Sequence, residues 1–133
     1  MEPYRRMLRA KIHRAIVTDA NVDYEGSLTI PPELLEQSDI KEYEAISVWN
    51  VTRGTRFETY AIEGIRGSGQ VCVNGAAAHL AGPGDRIIIA SFSVVPESMV
   101  DQFRPIVIFV DDHNLSTRTG VEMPGPHTHE NGC

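Results

Sequence analysis

The chain has 133 residues, of which 41% are hydrophobic and 23% are charged, and its formal net charge is -6. This size fits one domain around one hydrophobic core, and the acidic balance disfavours a nucleic-acid partner, because phosphate binding needs clustered Lys and Arg. No apolar run approaches the roughly 20 residues of a membrane helix, and residues 1–11 lack the apolar segment of a secretory signal, so we expect a cytoplasmic protein with no membrane partner.

Short runs of β-branched and alternating residues, separated by Gly- and Pro-containing turns, predict a series of strands along the chain. The strands are predicted at residues 6–18, 27–30, 44–51, 56–63, 70–73, 86–95 and 106–110. Short helices are predicted at residues 32–38, 76–80 and 96–103, where Pro or Ala favours helical turns. This pattern predicts a mainly β protein, a small β-barrel with a few short helices, over residues 1–110.

The C-terminal segment differs in composition from the rest of the chain. Residues 111–133 are polar and rich in Gly, Pro and Thr, which predicts a disordered tail. His127 and His129 have the spacing of a metal-ligand pair, but histidines in such a tail are more often solvated, and we predict no metal site. Cys72 and Cys133 form neither a disulfide framework nor a zinc pattern.

Basic side chains crowd the first predicted strand. On the two-residue period of a strand, Lys11 and His13 share one face, with Arg9 two residues earlier. A local basic patch in an acidic protein could bind a small anionic ligand. A solvated strand face is the alternative interpretation.

Five motifs resemble the bacterial pyruvoyl-dependent aspartate 1-decarboxylases in order and spacing. They are MLRAKIHR at residues 7–14, YEGS at 24–27, WNVT at 49–52, RFETY at 56–60 and VNGAAAH at 73–79. The Gly-Ser pair alone is typical of a turn, as we predict for residues 67–68, but the five motifs together cover most of the chain. The resemblance implies a double-psi β-barrel that assembles into a homotetramer, with active sites between neighbouring subunits.

The resemblance also implies the reaction, which is decarboxylation of L-aspartate to β-alanine and carbon dioxide for pantothenate and coenzyme A synthesis. Loss of carbon dioxide leaves a carbanion that needs an electron sink. Relatives make the sink by breaking their own chain, so Ser27 is implied to attack Gly26 and to become a covalently bound pyruvoyl group. The zymogen would divide into a β chain of residues 1–26 and an α chain of residues 27–133. Some relatives need a maturation factor for cleavage, and the sequence leaves that question open here.

The resemblance assigns roles to individual residues. Ser27 and Tyr60 are the implied catalytic residues, Tyr60 as the group that returns a proton to the carbanion. Cleavage is implied to involve Gly26, Ser27, Thr59 and Asn74. Substrate binding is implied for Lys11, His13, Arg56, Thr59, Asn74, Gly75, Ala76 and Ala77, and Tyr24 and Trp49 line the site in relatives.

Several alternatives stay open at this point. The two carboxylates of aspartate need cations, and Lys11 and Arg56 are the candidates, but which takes which carboxylate is undecided. Strand alternation puts Tyr60 and Thr59 on opposite faces, so both reach one site only if the strand twists, bulges or ends there. Asn74 and Gly75 could simply form a turn, and the aromatic candidates could be core residues. A non-catalytic barrel that kept this fold is the competing function, and a DNA-binding barrel is disfavoured by the acidic charge.

Overall fold

Strands are the main secondary structure of the computed structural model, which describes residues 1–122. The strands are β1 (Tyr4–Ile16), β2 (Asp19–Asn21), β3 (Ser27–Ile30), β4 (Ala45–Asn50), β5 (Arg56–Glu63), β6 (Cys72–Asn74), β7 (Arg86–Pro96), β8 (Ile106–Val110) and β9 (Ser116–Gly120). The helical elements are α1 (Pro32–Ser38) and two 3₁₀ helices (Gly75–His79 and Glu97–Gln102). The predicted fold class, mainly β with a few short helices, is confirmed.

Parallel and antiparallel neighbours are mixed in the strand order β2-β6-β3-β5-β4-β7-β1-β8-β9. β1 runs antiparallel to β7 and parallel to β8. β3 lies between β5, to which it is parallel, and β6, to which it is antiparallel. This order is consistent with a small β-barrel, and it places β3 between two strands that come later in the chain, β5 and β6.

The hydrophobic core is built from aliphatic side chains that the strands turn inward. Ile12, Leu28, Val48, Ile87 and Ile89 are all completely buried. Each such side chain contributes roughly 1.5–3 kcal/mol of burial free energy. The core therefore fixes the positions of β1, β3, β4 and β7, which carry or border the candidate site residues. No helix within residues 1–122 has the length and apolar character needed to cross a membrane.

The prediction of a disordered tail is wrong for residues 111–122. The chain turns after β8, and β9 pairs antiparallel with β8. Asn114 holds the turn, since its Nδ2 donates to the carbonyls of Ile16 and Gly69 and its Oδ1 accepts from the Ile16 amide. Four of the five β9 residues are exposed, so this strand has no apolar pattern, and backbone pairing holds it in place. His127, His129 and Cys133 lie outside the described residues.

β2 is the second element that the sequence pattern did not predict, because residues 19–25 read as a turn. Its three residues, Asp19–Asn21, pair in parallel with β6. A three-residue strand is too short for its periodicity to be recognised. The other strands and helices fall within two residues of their predicted bounds.

The buried carboxylate of Asp85 connects the loop between β4 and β5 with the segment that precedes β7. Asp85 is 5% exposed, and its Oδ2 accepts hydrogen bonds from Asn50 Nδ2 and the Gly82 amide, both at 2.9 Å. Arg53 Nε lies 2.8 Å from the same oxygen. Burial by itself raises the pKa of Asp85, but the hydrogen bonds from Asn50 and Gly82 and the charge of Arg53 outweigh it, so the pKa is lowered.

We expect Asp85→Asn to lower the free energy of unfolding at pH 7 by about 1–3 kcal/mol, because a charged acceptor of three donors becomes neutral. A lowered pKa in the folded state means that this contribution is present above the ordinary Asp pKa, near 4, and is lost as the pH falls through the folded value. Urea unfolding from pH 7 to pH 3 measures both effects. Asp112→Asn, which removes an exposed partner of Arg86, is the control, and an equal loss in both variants would contradict the role of the buried network.

Candidate active site

Ser27 is the first residue of β3 and is 5% exposed. It pairs directly with Asn74 across the antiparallel β3–β6 ladder. Asn74 Nδ2 donates to Ser27 Oγ at 3.1 Å and to Thr29 Oγ1 at 3.0 Å. The structure thus brings together two of the predicted cleavage residues and orients the serine hydroxyl. Thr29 was missed at the sequence level, although its place two residues after Ser27, on the same strand face, is the signal that could have found it.

Gly75 lies against the backbone of Gly26, the residue that precedes the serine. Its φ is +72°, and a Cβ built on it would lie 2.6 Å from Gly26 Cα, 2.7 Å from Gly26 N and 3.0 Å from the Tyr24 carbonyl oxygen. A side chain at this position therefore cannot coexist with the Gly26 backbone as it stands. We call Gly26, Ser27, Asn74 and Gly75 the cleavage-site cluster.

Packing places little constraint on Gly26 itself. A Cβ built on Gly26 would meet nothing within 4 Å, and its φ is outside the positive range. Within this chain, packing therefore does not require glycine before the serine. The requirement for a residue without a side chain falls on Gly75, which opens the 3₁₀ helix that also carries Ala76 and Ala77.

Tyr60 and Thr59 approach the cleavage-site cluster along β5. The parallel register pairs Leu28 with Ala61, so one step back along both strands sets Ser27 beside Tyr60. Tyr60 is exposed and Thr59 is half-buried. The β4–β5 pairing has no bulge across these residues, so the two side chains point to opposite faces. The structure brings both residues near the serine without turning both side chains toward it.

Arg56 and Trp49 lie together, but away from the serine. They are paired across β4 and β5 and line an open cavity of about 570 Å³ with Asn50, Val51, Gly54 and Ile88, which we call the hairpin cavity. Arg56 precedes Tyr60 by four residues, which is about 13 Å along an extended strand. One chain alone therefore does not gather these two predicted residues around Ser27.

Lys11 and His13 form a third group on β1, which we call the basic pair. Both residues pair in parallel with β8, and the pairing has no bulge between them. Their side chains therefore lie on one strand face, as predicted. Lys11 is only 5% exposed, so a solvated strand face does not describe it. Its Nζ lies 2.5 Å from Glu122 Oε1. Arg9 is separated from the pair by a bulge, and its guanidinium binds Glu44 instead, at 2.6 Å.

His13 is not a second cation at neutral pH. Burial, followed by the positive charges of Lys11 and Arg14, lowers the pKa of its imidazole below the ordinary value. Its Nδ1 is buried and has no hydrogen-bond partner within residues 1–122, and its ring meets the edge of Phe109 with centroids 5.4 Å apart. Lys11 thus carries the positive charge of the basic pair, and His13 offers a neutral hydrogen-bonding group.

A smaller cavity of about 350 Å³ opens beside the cleavage-site cluster. Its lining includes Tyr24, Thr29 and Asn74, together with Asp19 and Cys72. Burial and the neighbouring Asp19 raise the pKa of the Cys72 thiol, so the thiol stays protonated and unreactive. Residues 1–122 contain no group of three His, Cys, Asp or Glu side chains that could hold a metal ion. The chemistry available at this end of the barrel is that of the serine, the amide and the surrounding backbone.

Comparison with known proteins identifies the family of this chain. The family model for aspartate decarboxylase matches residues 3–117. The aspartate 1-decarboxylase of Rhodopirellula baltica is 59% identical over 94% of this chain and 80% of its own length. The protein of the same name from Legionella pneumophila strain Lens is 60% identical over 84% of each chain, and that from Myxococcus xanthus is 53% identical over 92% of this chain and 95% of its own. The chain belongs to the aspartate decarboxylase family.

Proposed function

We propose that this protein decarboxylates L-aspartate to β-alanine and carbon dioxide, using a pyruvoyl group made from Ser27 by cleavage of its own chain. Family membership and relatives named aspartate 1-decarboxylase support the reaction. The observation that supports the cleavage is the buried Ser27 hydroxyl, which Asn74 holds next to Gly26, whose backbone Gly75 approaches closely. β-Alanine made here would feed pantothenate and coenzyme A synthesis.

The cleavage is proposed to begin when Ser27 Oγ adds to the Gly26 carbonyl carbon. The Gly26–Ser27 C–N bond then breaks, and an ester to Oγ replaces the amide. Loss of the Ser27 Cα proton and breakage of the Cβ–Oγ bond release Gly26 as a free carboxylate. Water then replaces the nitrogen left at position 27, and ammonia departs. One water is consumed and one ammonia is released, so the balance needs no other reactant.

The residues around Ser27 suit the formation of a pyruvoyl group from this serine. The Asn74 amide orients Oγ, and Gly75 lies against the N and Cα atoms of Gly26, the residue whose carbonyl is attacked. Thr59 is proposed to donate to the oxygen that becomes negative during the attack. Once formed, the pyruvoyl group supplies a carbonyl that takes the substrate amine and accepts the electrons of the breaking carbon–carboxylate bond.

Cations are needed for the two carboxylates of L-aspartate, and Lys11 and Arg56 are proposed to provide them. Arg56 suits bidentate binding, and buried Lys11 provides a compact charge. Because the hairpin cavity is about 13 Å along β5 from the serine, we propose that a neighbouring copy in a homotetramer completes each site.

The proposed function is tested by intact mass spectrometry of the purified chain together with a β-alanine assay. We expect two chains, residues 1–26 and residues 27–133, with the nitrogen of residue 27 lost, and β-alanine formed from L-aspartate. A single uncleaved chain without activity would favour a non-catalytic barrel. β-Alanine from a chain that stays intact would contradict the pyruvoyl mechanism.

Tyr60→Phe is expected to cleave normally but to decarboxylate about 10²–10⁴-fold more slowly, because it lacks the hydroxyl proposed to return a proton to the carbanion. A denaturing gel reports cleavage, and kcat for β-alanine formation reports the second effect. Tyr43→Phe is the matched control, since the Tyr43 ring lies 6.4 Å from that of Tyr60 and is 73% exposed. Normal turnover by the Tyr60 variant would remove the residue from this role.

A further inference from the structure

The end of the described chain lies against the basic pair. Lys11 pairs with Val107 of β8, and Val107 pairs with Gly120 of β9, so the three residues form one row across the sheet. Glu122 follows two residues after Gly120, and its Oε1 accepts a hydrogen bond from Lys11 Nζ at 2.5 Å. A carboxylate from the C-terminal segment therefore sits directly on the buried ammonium group.

β9 also reaches His13, through an aromatic ring. The Arg118 guanidinium carbon lies 3.7 Å from the centroid of the Phe109 ring. The same ring meets the His13 imidazole in an edge-on arrangement, with centroids 5.4 Å apart. Residues 116–122 thus contact Lys11 directly and support His13 indirectly, and we call them the C-terminal strap.

Burial explains why Lys11 needs an anion. Its side chain is 6% exposed, and a buried ammonium group without an anionic partner is strongly unfavourable. Glu122 supplies that anion, while its own side chain remains 54% exposed. A carboxylate of L-aspartate has the same charge and the same two oxygens as the Glu122 side chain. A substrate carboxylate bound by Lys11 would accept a hydrogen bond from the same ammonium group that donates to Glu122, so the two carboxylates compete for it.

We propose that Glu122 is an internal competitor of the substrate, which holds Lys11 in the free enzyme and is displaced when a carboxylate of L-aspartate binds. The inference rests on the proposed function, which assigns Lys11 to the substrate. The C-terminal strap is suited to such exchange because β9 pairs with β8 alone within residues 1–122 and is largely exposed. Opening an edge strand of this kind needs only local unfolding.

Glu122→Gln in the processed full-length enzyme tests the proposal. When a competing state is removed, the apparent Kd falls to the intrinsic Kd, that is, it is multiplied by the fraction of enzyme that had been free to bind. We expect KM for L-aspartate to fall about fivefold, because a partly exposed ion pair contributes up to about 1 kcal/mol. The value of kcat should stay the same. Glu36→Gln is the matched control, because Glu36 forms a 2.5 Å pair with Arg66 and is 60% exposed, and its KM should match that of the wild type.

A second measurement separates this inference from the proposed function. Succinate has both carboxylates of the substrate but no amine, so its binding by isothermal titration calorimetry requires no catalysis. We expect the Kd for succinate to fall about fivefold in Glu122→Gln and in Glu122→Ala. An unchanged or weakened affinity in an active enzyme would overturn the competition, whereas absence of β-alanine from the wild type would overturn the proposed function.

Discussion

Ser27→Ala is expected to give a folded chain that stays intact and forms no β-alanine. The substitution removes the only oxygen at residue 27 that can attack the Gly26 carbonyl, and alanine has no leaving group on its Cβ. Without the electron sink, the rate should fall by at least about 10⁶-fold, the lower end of enzymatic rate accelerations. A denaturing gel, intact mass and a β-alanine assay on the same sample measure these effects.

Stability should change little in this variant. Asn74 Nδ2 loses Ser27 Oγ as an acceptor but keeps Thr29 Oγ1, so we expect a loss of about 0.5–1.5 kcal/mol. The control is Ser68→Ala, which alters the other Gly-Ser pair. Ser68 lies in a turn, and within residues 1–122 its Oγ accepts only from the Gln70 amide. This control should cleave and turn over normally, and β-alanine production by the Ser27 variant would contradict the mechanism.

Gly75→Ala is expected to slow or abolish cleavage by moving the Gly26 peptide. The added Cβ would stand 2.6 Å from Gly26 Cα, and its three nearest atoms are all backbone atoms, so the segment must shift. Because a displacement of about 1 Å at a reacting group can cost about 10²-fold in rate, we expect the cleavage rate to fall at least 10²-fold. A time course of cleavage on denaturing gels gives this rate directly.

The backbone conformation at Gly75 needs its own control. Its φ of +72° makes any L side chain unfavourable, by about 1–2 kcal/mol. Gly67 has a φ of +78°, but a Cβ there would meet nothing within 4 Å. Gly67→Ala should therefore lose a similar free energy of unfolding while cleaving at the normal rate. Equal cleavage rates in the two variants would show that the contact with Gly26 has no role in processing.

The residue types that carry the proposed chemistry are evident along the chain, but their grouping is not. The resemblance of YEGS and VNGAAAH implied that Ser27 and Asn74 both take part in cleavage, and the β3–β6 ladder brings the two side chains into contact. Arg56 is separated from Ser27 by the strand register, because β3 pairs with the C-terminal end of β5 and Arg56 is the first residue of β5. A sequence pattern carries no register information between strands so distant along the chain.

Local sequence by itself determined the strands with an apolar pattern, the short helices and the residue types at the candidate site. Alternation and turn residues act over a few positions, which is why these elements could be predicted. Only the tertiary structure decided that β2 and β9 form, that Gly75 rather than Gly26 must lack a side chain, and that Glu122 rests on Lys11. Each of these depends on contacts between residues far apart in the chain, and such contacts exist only after the core has set the strands side by side.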